Sequence, residues 1–192
     1  MITITDIEGL FHDQLSRISD SELRDKVVRV WVEGSKRGGW QSVEELRAMP
    51  FTLLTNTHGI GLVEHTMAVT EGAIGLAEAQ PKAYGSKLPY KIDMDRLIAG
   101  ALLHDVGKLM EMEKDGKGGY RKSKSGQHTR HPISGAILAA ACGLPDGVVN
   151  TIACHAREGE GAPKVIETVL IHQADYATFD PLVMLEKGHL IR

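Results

Sequence analysis

One stretch of this sequence constrains the fold more than any other: an apolar helix that ends in an imidazole and a carboxylate. Residues 97–103 read Leu-Ile-Ala-Gly-Ala-Leu-Leu, and His104 and Asp105 follow them. A helix that is apolar all round is normally buried on every side. Burying an unpaired carboxylate is costly, so something must compensate the charge of Asp105. A metal ion is the simplest candidate, and an ordinary hydrogen-bonded His–Asp pair at a helix end is the alternative.

The composition is that of an ordinary globular protein and argues against several functional classes. The 192 residues are 42% hydrophobic and 24% charged, enough for one domain with a real core. A net charge of −3 gives no sign of a broad nucleic-acid-binding face. Cys142 and Cys154 imply no disulfide framework, so we expect a reducing, cytoplasmic location. We find neither a membrane-spanning apolar run nor a signal peptide, so we expect no membrane partner.

Helical periodicity runs through nearly the whole chain. Apolar residues recur at three- and four-residue spacing from Ile7 onward, which predicts an all-α fold. Pro81 and Pro181 are expected to end or interrupt two of the helices. We predict a single domain, with residues 1–50 as a helical extension and residues 51–192 as the core that holds the site. The apolar faces of the first two helices suggest either a homodimer or a cover over the bundle.

The most polar stretch, residues 110–130, is predicted to be an insertion into the helical fold. Its turn-forming centre, Asp115 to Gly119, and its short flanks indicate a small β-hairpin or a loop. The stretch carries six basic side chains: Lys114, Lys117, Arg121, Lys122, Lys124 and Arg130. These residues form either a solvated loop or a basic lid that meets an anionic substrate.

Potential metal ligands stand at helix ends or on apolar helix faces along the chain. They are His65, His104, Asp105, His131, His155 and Asp175. The set and its order, H…HD…H…H…D, resemble the HD superfamily of metal-dependent phosphohydrolases. The motifs that carry the resemblance are Leu62-Val63-Glu64-His65-Thr66, Leu102-Leu103-His104-Asp105-Val106-Gly107-Lys108, His131-Pro132-Ile133-Ser134-Gly135-Ala136, Cys154-His155-Ala156 and His172-Gln173-Ala174-Asp175-Tyr176.

The resemblance implies an all-α HD-domain bundle with one or two divalent metal ions at its centre. By that resemblance, a first ion takes the side chains matching His65, His104, Asp105 and Asp175. A second ion takes His131 and His155, with Asp105 as the bridge between the two ions. The chemistry of the ligands agrees, because imidazole and carboxylate without thiolate suit Fe²⁺, Mn²⁺, Co²⁺, Ni²⁺ or Zn²⁺.

The function that the resemblance implies is hydrolysis of a phosphoester by metal-activated hydroxide. The expected substrate is a nucleotide or another small phosphorylated compound, and Asp105 and Lys108 are the predicted catalytic residues. Lys108 is alternatively a surface lysine after a helix. Two other functions remain open: an HD-fold mixed-valent diiron oxygenase, which uses the same ligand pattern, and a non-catalytic nucleotide-binding module.

Three features of the site lie outside the simple pattern. The HD-GYP subgroup, which acts on cyclic dinucleotides, has two adjacent histidines and then a Gly-Tyr-Pro element, whereas Ala156 follows His155 here. This difference argues against a third metal ion and against that substrate class. His172 lies one turn before Asp175, where it could support a ligand or simply pack. His58 is a loop residue that could reach the substrate.

Overall fold

The chain, described over residues 1–191 of a computed structural model, is a helical bundle with one small hairpin. The α-helices are α1 (Ile4–Leu10), α2 (His12–Leu15), α3 (Ser21–Gly38), α4 (Val43–Ala48), α5 (Leu62–Tyr84), α6 (Met94–Leu103), α7 (Lys108–Glu111), α8 (Lys124–His128), α9 (His131–Ala141), α10 (Asp146–Cys154) and α11 (Ile166–Glu186). Strands β1 (Met112–Lys114) and β2 (Tyr120–Lys122) pair antiparallel, and short 3-10 helices cover Gly85–Lys87 and Arg157–Gly159. The all-α fold and the hairpin insertion are confirmed.

Helix α6 lies at the centre of the bundle. All seven residues from Leu97 to Leu103 are buried, and α6 packs against α3, α5, α10 and α11. The helix begins where the Asp93 side chain accepts a hydrogen bond from the Arg96 backbone N–H. The apolar stretch therefore delivers His104 and Asp105 to the middle of the molecule, where neighbouring helices can reach them.

The N-terminal helices cover this centre. Ile7, Leu10 and Phe11 are buried, and the indole N–H of Trp31 donates to the carbonyl of Leu102 at 2.9 Å. The apolar faces that suggested a homodimer are thus buried within the chain and cannot form its interface. The dimer stays a prediction that these faces do not support. The single-domain organisation also stays a prediction, supported by one continuous apolar core. Among the described residues, none of the helices combines the length and the apolar character that a bilayer crossing requires.

Two helix boundaries differ from those expected at prolines. Pro81 lies inside α5 and Pro181 inside α11, so neither helix ends or breaks there, and the prediction was wrong. A proline removes one backbone hydrogen bond, whereas most helical stability in a protein comes from tertiary packing. Helices α5 and α11 pack against each other, and tertiary packing of this kind stabilises a helix that lacks one backbone bond.

A close crossing of two backbone segments sets the geometry of the centre. Gly107, in the turn between α6 and α7, lies against the start of α9. A Cβ at this position would be 2.1 Å from the carbonyl oxygen of His131 and 2.8 Å from the backbone nitrogen of Gly135. Only glycine allows this approach. The turn that carries Asp105 can therefore lie directly beside the helix that carries His131.

Candidate metal centre

The structure brings all six predicted ligands together in the middle of the bundle. They are His65 on α5, His104 and Asp105 just after α6, His131 at the start of α9, His155 just after α10 and Asp175 on α11. The ligand atoms form two groups, each with its atoms within 4.8 Å of one another: His65 with His104 and Asp175, and Asp105 with His131 and His155. Five different helices and the turns after them contribute, so the arrangement depends on the whole bundle.

Asp105 lies between the two groups and faces both. Its Oδ2 lies 3.4 Å from Nε2 of His65 and 3.4 Å from Nε2 of His104. Its Oδ1 lies 3.2 Å from Nε2 of His131 and 3.6 Å from Nε2 of His155. One carboxylate thus presents one oxygen to each group, as a bridging ligand requires.

The backbone fixes two of the imidazoles in the form that binds a cation. His104 and His155 each follow the last residue of a helix, where carbonyl groups are free of helical partners. Nδ1 of His104 lies 2.7 Å from the carbonyl oxygen of Ala101, and Nδ1 of His155 lies 2.9 Å from that of Ile152. Because a carbonyl can only accept, each Nδ1 carries the proton, and Nε2 keeps a lone pair toward the centre.

Several polar atoms at the centre have no partner of their own. Among the residues that the structure describes, buried Nε2 atoms of His65, His104 and His155 and the Oδ1 of Asp105 make no hydrogen bond. Buried polar groups are normally satisfied, so such a cluster is typical of a ligand-binding centre. Imidazole nitrogens and carboxylate oxygens all offer lone pairs, and a divalent cation satisfies them together. The residues present therefore fit a metal ion.

The pKa shifts favour the ionised form of both aspartates at the centre. Burial opposes ionisation of both aspartates, yet the nearby charge of Lys108 holds the pKa of Asp105 well below its ordinary value. The imidazole of His65, whose Nε2 lies 3.1 Å from Oδ1 of Asp175, likewise lowers the pKa of Asp175 to about 2, against the effect of burial. Burial also disfavours protonated His65, but the two carboxylates outweigh it and raise the pKa of that imidazole. Burial lowers the pKa of His131 to about 4.

Lys108 lies inside the site rather than on the surface. It is 9% exposed, its ammonium pairs with Oδ2 of Asp105, and it lies 5.7 Å from the ring centre of Phe51. Phe51 in turn stacks on the imidazole of His65 at 4.2 Å between ring centres. The positive charge is therefore held beside the ligand groups, on the wall of an adjoining cavity.

A cavity of about 350 Å³ opens onto the ligand groups. One part of its wall is aromatic, with Phe51, Tyr176 and Phe179. Besides Lys108, three cationic side chains line it: Lys122 from the hairpin, Arg130 before α9 and Arg157 after α10. A cavity of this size with apolar walls and a few charged groups is typical of a small-ligand site.

The structure also adds residues that sequence reasoning missed. The carboxylate of Glu111 contacts both the backbone N–H and Nδ1 of His131, each at 2.7 Å. Phe51 and Arg157 line the cavity, although nothing in their sequence surroundings marks them. The sequence offered one signal for Glu111, its position three residues after Lys108 of the Gly-Lys pair.

The remaining sequence-predicted residues take different places. Nδ1 of His172 lies 2.5 Å from the backbone carbonyl oxygen of His155, so His172 supports that segment rather than Asp175. His58 is exposed and does not line the cavity. Of the six basic residues in the insertion, only Lys122 and Arg130 line the cavity.

Comparisons with known proteins agree with the resemblance. Residues 62–180 match the family described as HD domain. A ribonuclease Y from Pseudothermotoga lettingae is 29% identical over 119 residues, which are 62% of this chain and 18% of that protein. Another, from Borreliella afzelii, is 34% identical over 93 residues, 47% of this chain and 16% of the relative.

A third relative differs in its name. The dihydroneopterin 2',3'-cyclic phosphate phosphodiesterase of Methanocaldococcus jannaschii is 30% identical over 125 residues, 61% of this chain and 45% of the relative. The chain thus spans less than half the length of each of these three proteins. No solved structure gives a significant match. The family match covers most of the chain and all six converging side chains, and the chain therefore belongs to the HD domain family.

Proposed function

We propose that this protein hydrolyses a phosphoester at a two-cation centre held by His65, His104, Asp105, His131, His155 and Asp175. The observation that carries the proposal is the convergence of four imidazole Nε2 atoms on the two oxygens of one buried carboxylate. Hydrogen bonding satisfies these atoms poorly, whereas divalent cations satisfy them well.

Divalent ions in such a site lower the pKa of a water molecule and hold the phosphoryl oxygens. The protein supplies the remaining elements. Asp105 offers one oxygen to each ligand group, and the backbone carbonyls behind His104 and His155 keep their Nε2 atoms turned inward. The ammonium of Lys108 lies on the cavity wall beside Asp105, where it can offset the negative charge that grows on the phosphoryl group.

We further propose a nucleotide or a similar small phosphate compound with an aromatic part as the substrate. The cavity is of small-molecule size, and its aromatic wall of Phe51, Tyr176 and Phe179 can contact a planar ring. Arg157 is largely exposed and its nearest acidic partner is 4.0 Å away, so its guanidinium is free to meet a phosphate. The names of the relatives, a ribonuclease and a cyclic phosphate phosphodiesterase, favour phosphoester hydrolysis over the oxygenase.

The test is hydrolysis by metal-stripped protein after addition of Mn²⁺, Co²⁺ or Fe²⁺. We expect release of phosphate or alcohol from nucleoside monophosphates, 2',3'-cyclic nucleotides or bis(p-nitrophenyl) phosphate, and loss of that activity in Asp105→Ala. Inactivity on these substrates and on a short RNA with every metal would contradict the proposal. So would O₂-dependent turnover by iron-loaded protein that shows a half-integer mixed-valent resonance. Ligand binding without turnover would favour the non-catalytic module.

A further inference from the structure

Three of the four histidines around Asp105 hold Nδ1 against a carbonyl or carboxylate oxygen, and they do so in two different ways. His104 and His155 each use a carbonyl three residues earlier in their own segment. Both stand at the carboxyl end of a helix, where such carbonyls are free. His131 is the first residue of α9, and the start of a helix offers free N–H groups but no free carbonyl. Its ring therefore needs an acceptor from another part of the chain.

Glu111 supplies this acceptor. Its side chain is buried, with the residue only 6% exposed, and a single oxygen, Oε2, lies 2.7 Å from both the backbone nitrogen and Nδ1 of His131. An ionised carboxylate can only accept, so Nδ1 carries the proton, and the lone pair of Nε2 points to Asp105 at 3.2 Å. The negative charge also lies at the amino end of α9, where the helix dipole favours it.

The backbone at Glu111 is held firmly by the segment that follows the hairpin. The carbonyl of Glu111 accepts from the N–H of Ser123 at 2.9 Å, and the Ser123 hydroxyl donates to the carbonyl of Met110 at 2.6 Å. Gly126 packs so closely that a Cβ there would lie 2.2 Å from the same Glu111 carbonyl oxygen. On the other side, the indole N–H of Trp40 donates to the carbonyl of Leu109 at 2.8 Å. The backbone that carries the Glu111 carboxylate is thus fixed on both sides.

We propose that Glu111 is a positioning residue that presets His131 for the second cation, the one between Asp105, His131 and His155. The inference rests on the proposed function, because it assumes that this group holds an ion. It also gives the insertion a role, since residues 112–128 fix the Glu111 backbone and place Lys122 3.7 Å from the other carboxylate oxygen. Loss of the carboxylate should weaken the second ion and spare the first, whose ligands do not touch Glu111.

The test is a titration of metal-stripped protein with Mn²⁺. Binding is measured by calorimetry and by the electron paramagnetic resonance signal of free Mn²⁺. The variant is Glu111→Gln, which keeps the size but loses the charge and can present either an acceptor or a donor to Nδ1. We expect the second Mn²⁺ to bind about 10- to 100-fold more weakly and the first within twofold of the wild type. Glu113→Gln is the matched control, because Glu113 pairs with Arg121 on the hairpin surface.

A spectroscopic measurement covers the case in which Glu111→Gln does not fold. A long-range ¹H–¹⁵N NMR correlation experiment on the metal-free wild type should show His131 solely as the Nδ1–H tautomer. The His131 signals are assigned as those that disappear in His131→Asn. An Nε2–H tautomer would overturn the inference, as would two Mn²⁺ ions bound by Glu111→Gln as tightly as by the wild type. Failure of the proposed function is a different result, in which the wild type itself lacks the second Mn²⁺ or hydrolyses no phosphoester.

Discussion

The close crossing at Gly107 gives the sharpest prediction for the site. A methyl group added at this position would lie 2.1 Å from the His131 carbonyl oxygen, whereas real Cβ contacts almost never fall below 3.0 Å. The segments must therefore separate by at least about 0.9 Å in Gly107→Ala, the difference between these two distances. All three obstructing atoms belong to the backbone of α9, so no side-chain rotation can relieve the contact.

The magnitude follows from this displacement. Forced overpacking of this kind costs about 1–3 kcal/mol of unfolding free energy. For a chain of this length, 2 kcal/mol corresponds to a fall in melting temperature of about 4–8 °C. The shift moves His131 away from Asp105, and a misplacement near 1 Å typically costs about 100-fold in rate. We thus expect a modest loss of stability and a far larger loss of phosphoester hydrolysis.

The assay pairs thermal unfolding with kcat/KM for bis(p-nitrophenyl) phosphate at saturating Mn²⁺. Gly75→Ala is the control, because a Cβ there has nothing within 4 Å and Gly75 lies inside helix α5. Alanine at such a helical site should raise stability by about 0.5–1 kcal/mol and leave hydrolysis unchanged. A Gly107→Ala protein with wild-type melting temperature and hydrolysis would refute the argument that this crossing positions the site.

Three further predictions concern Lys108, the stability in acid and the hydrogen bonds behind the site. Lys108→Met should lower kcat about 100- to 1000-fold without weakening Mn²⁺ binding, as measured by steady-state kinetics and calorimetry. Burial raises the pKa of Asp95, but hydrogen bonds from Ser19 and Asp20 outweigh it and leave that pKa below 3.8. The stability that Asp95 contributes is therefore present above about pH 4 and is lost as the pH falls further. We expect the urea midpoint of Asp95→Asn to fall less than that of the wild type when the pH is lowered below about 4. Trp40→Phe leaves the buried Leu109 carbonyl without its donor and should cost about 1–3 kcal/mol in urea unfolding.

Much of the site could be predicted from the sequence because its ligands occupy recurrent local positions. His104 and Asp105 end an apolar helix, and such a helix must pass through the core. His131 begins α9, just before Pro132, and His155 follows the last residue of α10. A helix terminus therefore places each imidazole at the centre. The residue types at these termini, and their order, indicate metal chemistry before any distance is known.

The support of the site could not be predicted in this way. Glu111 and His131 are 20 positions apart, and their contact depends on how the insertion folds back between α7 and α9. The hydrophobic periodicity of the sequence does not predict how the insertion folds back. Arg157 lines the cavity and begins a tight turn with Gly159, where a Cβ would lie 2.2 Å from the carbonyl oxygen of Cys154. Contacts of this kind arise from packing between elements, and the sequence of each element alone does not contain them.

The most direct test of the central claim is an anomalous difference map from crystals of the protein grown with Mn²⁺. The account predicts two peaks within bonding distance of the ligand atoms. One lies among His65, His104 and Asp175 and the other between His131 and His155, and both contact Asp105. A map with no peak at either group, recorded at a Mn²⁺ concentration that supports hydrolysis, would contradict it.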